Sequence, residues 1–141
     1  MIFNPEDEQG AHALRRLIDD RIAWLTTVTP SGQPQSTPIW FLWADGEILI
    51  YSDHRALRNR NIAANPRVSL HLDDDGEGGD IVVVQGEARI DPGQPPVPAN
   101  APYLAKYGQW IDAELGGPDK MAETYSVAIV IKPTRGTAFP G

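Results

Sequence analysis

The chain has no cysteine. Disulfides, thiolate zinc sites and cysteine nucleophiles are therefore excluded. No apolar stretch approaches the roughly 18 residues of a membrane-spanning helix. The N-terminal MIFNPEDEQG is acidic and lacks an apolar core, so it does not read as a signal peptide, and a cytoplasmic location is expected. Positive charge is scarce: 12 Lys and Arg stand against 19 Asp and Glu, for a formal net charge of -7. That balance argues against general nucleic-acid binding, which usually shows as a basic domain. There is no internal repeat, no GxSxG and no GxxxxGK. His12, His54 and His71 show no i, i+3 or i+4 pairing, so no metal site is expected. His71 reads as a pocket proton donor or, more simply, as a surface histidine.

What is present fits one globular domain spanning 1–141. The 141 residues are 41% apolar, enough for one proper core. The 13 Gly and 13 Pro favour many short elements over a helical bundle. A first helix is expected in PEDEQGAHALRRLIDDR, with Leu14, Leu17 and Ile18 on one side. IAWLTTVT, QPQSTPIWFLWA and EILIYS read as a three-strand meander, with PSG at 30–32 and DG at 45–46 as the turns. A helix capped by Ser52 or Asp53 runs to about Ala64 and ends at NP. RVSLHLD alternates as a half-buried strand. DIVVVQGEARI is a long strand in which Gly86 marks a bulge. A Pro-rich crossover, two short helices, the strand SVAIVIKP and a short edge segment in TRGTAFPG complete the chain. About six antiparallel strands in so short a chain favour a barrel over an open sheet.

Three motifs carry chemistry or imitate it. RALRNRNIAANPRVSL concentrates Arg55, Arg58, Arg60 and Arg67 without an acid. A strand end followed by a helix N-terminus offers free N–H groups and a positive dipole, and arginine forks suit phosphate. Tyr51 and Ser52 add hydroxyls beside that point. The duller reading is a solvated basic helix face. In STPIWF, Pro38 belongs at an edge or bulge, and the adjoining aromatics suit a flat heterocycle or ordinary core. LDDDGEGGD imitates a calcium loop, but Val84 stands where a carboxylate is required, so a glycine-rich hairpin loop is expected.

YS at a strand end, RNI, NPRVSL, the acidic glycine-rich loop and GDIVVVQGEARI together resemble the pyridoxamine 5'-phosphate oxidase-like family. The nearer resemblance is to its deazaflavin (coenzyme F420)-dependent oxidoreductases, and GQPQSTPIWF resembles that family's second strand and turn. The likeness is clear over about residues 12 to 91. It implies a mainly β fold with flanking helices, a six-stranded antiparallel split β-barrel (the FMN-binding split barrel). It also implies a homodimer with cofactor sites at the interface. The cofactor phosphate would sit at Tyr51, Ser52, Arg58, Arg60 and the adjacent Asn61. F420 adds an acidic tail that FMN lacks, and Arg55 is the candidate contact for that tail. The tricyclic ring would lie along Ser36, Thr37, Pro38, Ile39 and Trp40. Relatives usually carry Lys where Arg58 stands; Arg keeps the charge and adds a fork. The pyridoxamine oxidase substrate motif is not visible in KPTRGTAFPG. The implied activity is hydride transfer between reduced F420 and a small conjugated, electron-poor substrate. FMN in the same site and a non-catalytic flavin or deazaflavin carrier are the alternatives.

Overall fold

The computed structural model describes residues 1–139; Pro140 and Gly141, the end of the expected TRGTAFPG segment, lie outside them. The elements are α1 (Glu8–Asp19), β1 (Ala23–Val28), β2 (Pro34–Ile39), β3 (Leu42–Ala44), β4 (Glu47–Ser52), α2 (Leu57–Ala64), β5 (Arg67–Leu72), β6 (Ile81–Ile90), α3 (Ala101–Glu114), α4 (Pro118–Thr124) and β7 (Val127–Phe139). A 3-10 turn at Val97–Ala99 interrupts the Pro-rich crossover.

All strand pairings are antiparallel, in one curled sheet of order β2-β1-β5-β6-β7-β4-β3. The fold is the expected mainly β split-barrel type with flanking helices, with seven strands in place of six. The extra strand arises because QPQSTPIWFLWA breaks at Trp40–Phe41. Both expected hairpins form, β1 with β2 and β3 with β4, but the break sends the two halves of the middle strand to opposite edges of the sheet, so β4 lies between β3 and β7 and not beside β2. Burial explains why. Ile48 and Ile50 face the barrel core, while Leu49 and Tyr51 face a second apolar cluster. A strand apolar on both faces needs cover on both faces. Beside β2, whose Pro34 to Pro38 are all exposed, one of those faces would stay wet.

TRGTAF is no separate edge segment. It continues SVAIVIKP into one 13-residue strand that pairs with β6 from Ile81–Phe139 to Ile90–Ile129. The register shifts between Gln85 and Gly86, so the expected bulge is present. A Cβ at Gly86 would lie 2.5 Å from the Lys132 carbonyl oxygen, which is why the position takes only glycine. The DG turn is also as expected, with Asp45 and Gly46 at φ 53° and 75°.

Helix α1 buries Gly10, Ala13 and Leu17, while Ile18 is exposed, contrary to the expected face. Gly10 sets this rotation, since a Cβ there would meet the Asn4 carbonyl oxygen at 2.1 Å. Arg16 ties the helix to the β5–β6 loop through the carbonyls of Asp80 (2.6 Å) and Asp73 (2.7 Å). The loop itself is a polar glycine-rich turn. Asp74 accepts from the Gly76 and Gly78 N–H groups, and Asp75 from Glu77 and Gly79. The second apolar cluster lies outside the barrel, where Tyr103, Tyr107 and Ile111 of α3 and Met121 of α4 cover β4 and β7. Each fully buried side chain of this size contributes about 1.5–3 kcal/mol.

Candidate functional site

Strand β4 ends at Ser52, and Asp53 shapes the corner that follows. Its carboxylate accepts from the Arg55 backbone N–H (2.9 Å), Arg55 Nε (3.1 Å) and Arg55 Nη2 (2.9 Å). Its carbonyl accepts from the Ala56 N–H (3.0 Å) and Asn59 Nδ2 (2.9 Å). These bonds delay the helix. The cap is Ala56, with no side-chain hydrogen bond, in place of the expected Ser52 or Asp53. The first helical N–H groups, of Leu57 and Arg58, have no carbonyl a turn earlier within the helix. The Arg55 side chain, followed by the Arg55 N–H, holds the Asp53 carboxyl down at about 2.

The two arginines beside this corner differ. Arg55 is exposed and already ion-paired with Asp53. Arg58 is half-buried and forms no salt bridge among the described residues. Its Nη1 donates to Ser52 Oγ (3.0 Å) and its Nη2 to Thr37 Oγ1 (3.2 Å), both neutral hydroxyls. Its Nε is buried without a partner among the described residues. Burial lowers its pKa, with Asp53 and then Tyr125 acting the other way. A guanidinium nonetheless stays charged.

Arg58 lines a cavity of about 740 Å³. Asp53, Arg55 and Ala56 form the rest of one wall; Pro38, Ile39 and Trp40 come from the end of β2 and the residue after it; Tyr103, Leu115, Met121 and Tyr125 close the far side. The ring of Tyr51 is also exposed to this space, but its hydroxyl is committed elsewhere. It donates to the Pro95 carbonyl (2.6 Å) and accepts from Asn100 Nδ2 (2.9 Å), and burial raises its pKa.

Of the residues expected to bind cofactor, Pro38, Ile39, Trp40, Tyr51, Arg55 and Arg58 therefore meet at one cavity. Thr37 and Ser52 stand behind it, orienting Arg58. The other three lie off it. Ser36 Oγ bonds Thr26 Oγ1 at 2.6 Å. Asn61 is buried and donates to Thr27 Oγ1 (3.0 Å) and Gln35 Oε1 (3.1 Å), tying α2 to the first two strands. Arg60 is exposed. His71 is exposed beside Trp24, with its Nδ1 on the Leu72 carbonyl, and is not in the cavity. Asp53 and the α3–α4 wall were not foreseen. Tyr103, Tyr107 and Ile111 do recur at helical spacing, which marks a buried stripe without naming what it covers.

The family model for pyridoxamine 5'-phosphate oxidase matches residues 11–139. The chain belongs to this family. Among solved structures, an F420 reductase is 30% identical, covers 87% of this chain and 94% of its own, and superposes with a TM-score of 0.67. An FAD-binding protein from Mesorhizobium loti is 21% identical, with coverage of 91% of each chain and a TM-score of 0.68. The heme storage protein HutZ from Vibrio cholerae is 16% identical, with coverage of 99% and 96% and a TM-score of 0.63. The last two relatives show the shared fold alone. No curated protein matches the chain. This family member has no helix, among its described residues, long and apolar enough to cross a membrane.

Proposed function

We propose that the chain is an oxidoreductase that uses the deazaflavin coenzyme F420 to transfer a hydride to or from a small conjugated, electron-poor substrate. The carrying observation is Arg58: a half-buried cation with an orphaned Nε and no carboxylate partner, set in the wall of an aromatic cavity. A buried charge without a counter-ion is costly, and a bound anion relieves that cost. The donor set therefore fits the phosphate of a flavin-like cofactor. The 30% identity to an F420 reductase favours the deazaflavin over FMN.

The coenzyme, when bound, supplies the hydride chemistry. The chain's own residues bind, orient and exclude water. Arg58, oriented by its bonds to Ser52 and Thr37, would grip the phosphate. Trp40 and the β2 backbone from Pro38 would offer a flat wall to the ring, and Leu115, Met121 and Tyr125 would keep the far side dry. We read the exposed strand β2 as the face on which a second copy completes the site.

One observation favours FMN in the same place. Arg55 is already neutralised by Asp53, so an acidic tail has to compete for it, whereas FMN carries no such tail. Both readings are tested by mixing the protein with reduced F420 or reduced FMN and quinone or enone acceptors, and following reoxidation by absorbance. The expected result is acceleration over free cofactor, larger for F420. Rates no faster than free cofactor, with binding intact, would make the protein a carrier.

A further inference from the structure

Edge strands β2 and β3 are joined by Trp40 and Phe41 alone, and helix α3 holds this crossing from outside. The Phe41 N–H donates to Tyr107 Oη at 2.9 Å. That hydroxyl in turn lies 2.6 Å from the Arg21 carbonyl and 3.0 Å from the Phe41 carbonyl; its one proton serves the shorter contact best. Lys106 Nζ donates to the same Phe41 carbonyl at 2.9 Å and sits 3.9 Å from the Phe41 ring centroid. Both backbone polar groups of Phe41 are thus satisfied by two neighbouring side chains of α3. The Trp40 indole lies flat on the Tyr107 ring, with centroids 4.6 Å apart and planes 3° apart.

Trp40 lines the cavity; Tyr107 does not, and it is fully buried. A two-residue crossing between unpaired edges has no ladder to fix it. Here the phenol fixes the backbone through its hydroxyl and the indole through its face. We propose that Tyr107 is a positioning residue that holds Trp40 as the flat wall against which a planar heterocycle packs, so that ring affinity depends on a residue the ring never touches. The inference rests on the reading that this cavity takes a flavin-like ligand.

The test is a double-mutant cycle on Tyr107→Leu and Trp40→Ala. The probes are riboflavin (ring without phosphate), FMN and inorganic phosphate. Tyr107→Leu should weaken riboflavin and FMN by the same factor, about 3- to 10-fold for a lost aromatic pair, and leave phosphate affinity unchanged. In the Trp40→Ala background it should have no further effect. Additive losses, or an equal fall in phosphate affinity, would overturn the proposal, since either marks a merely structural tyrosine. Should Tyr107→Leu not fold, Tyr107→Phe runs the cycle on the hydroxyl alone: it keeps the ring stack and frees the Phe41 backbone, so a smaller loss of riboflavin and FMN affinity is expected, again absent in the Trp40→Ala background. Wild-type protein that binds neither riboflavin nor FMN nor F420 would remove the functional reading, and the inference with it. Wild-type binding that Trp40→Ala and Arg58→Ala weaken, with an additive Tyr107 cycle, would remove the inference alone.

Discussion

Asp53, Arg55, Ala56 and Arg58 reach the cavity from one short corner of chain, whereas Tyr103, Leu115, Met121 and Tyr125 arrive from the later helical segment. The corner wall is polar and only partly buried, and its charges are arranged by hydrogen bonds between near neighbours. The far wall is also the inner face of the second apolar cluster, in which Tyr103 and Met121 are 0% and 4% exposed. Binding chemistry and packing are thus separated across about 740 Å³ of space. Changes in the corner wall should therefore act on binding, and changes in the far wall on stability.

Substitutions on the two sides should part accordingly. Met121→Ala should cost about 2–5 kcal/mol of stability, the usual range for a buried Met truncated to Ala. Denaturant unfolding measures it, and a loss near zero would show that the far wall is not core. Arg58→Ala should weaken cofactor binding by about 1–3 kcal/mol, as for a hydrogen bond to a charged group. Its melting temperature should hold or rise, because a half-buried unpaired charge is removed. A melting temperature that fell with the affinity would blur the contrast.

Titration separates the walls further. Lys106, on α3 behind the far wall, is lowered from 10.5 to about 8, chiefly by burial, while Asp20 and Asp19 oppose the shift. Between those two values the unfolded chain keeps the proton that the folded chain has released. Its contribution to stability therefore rises with pH across that window. Relative to the wild type, Lys106→Met should be most favourable below pH 8 and lose that advantage toward pH 10.5. Melting curves across the window check this, and a pH-independent difference would contradict it. On the corner wall, Asp53→Asn frees Arg55 and removes a negative charge, so anion binding should tighten, more for the tailed coenzyme than for FMN. Paired titrations of the two ligands read the ratio. The smallest effect is expected for Arg60→Ala. The side chain is exposed, so stability and affinity should each move by no more than about 0.5 kcal/mol.

The two arginines of the corner wall were legible in the sequence; the place of Asp53 and Ala56 in it, and the far wall, were not. The strand end, the arginines and the NP stop all lie within one local run, where propensity and periodicity speak. Local signals also fixed the DG turn and the Gly86 bulge. Pairing order was harder to read. Nothing near EILIYS says that it joins β7, some 75 residues later; only its two apolar faces require double cover. Hydroxyl use was misread for a similar reason: Tyr51 looks free until Pro95 and Asn100 fold over it. Tyr107 and Lys106 gave no sign of their hold on Phe41, because that contact exists only once α3 docks on the strand crossing.

The central claim is that Arg58 is a cation waiting for the cofactor's anion. Isothermal titration of F420 and of FMN into the wild type and into Arg58→Ala tests it most directly. The account predicts that the wild type binds both, F420 more tightly, and that the variant loses about 1–3 kcal/mol for each while its affinity for riboflavin is unchanged. Equal affinity of wild type and variant for both phosphate-bearing ligands would contradict it.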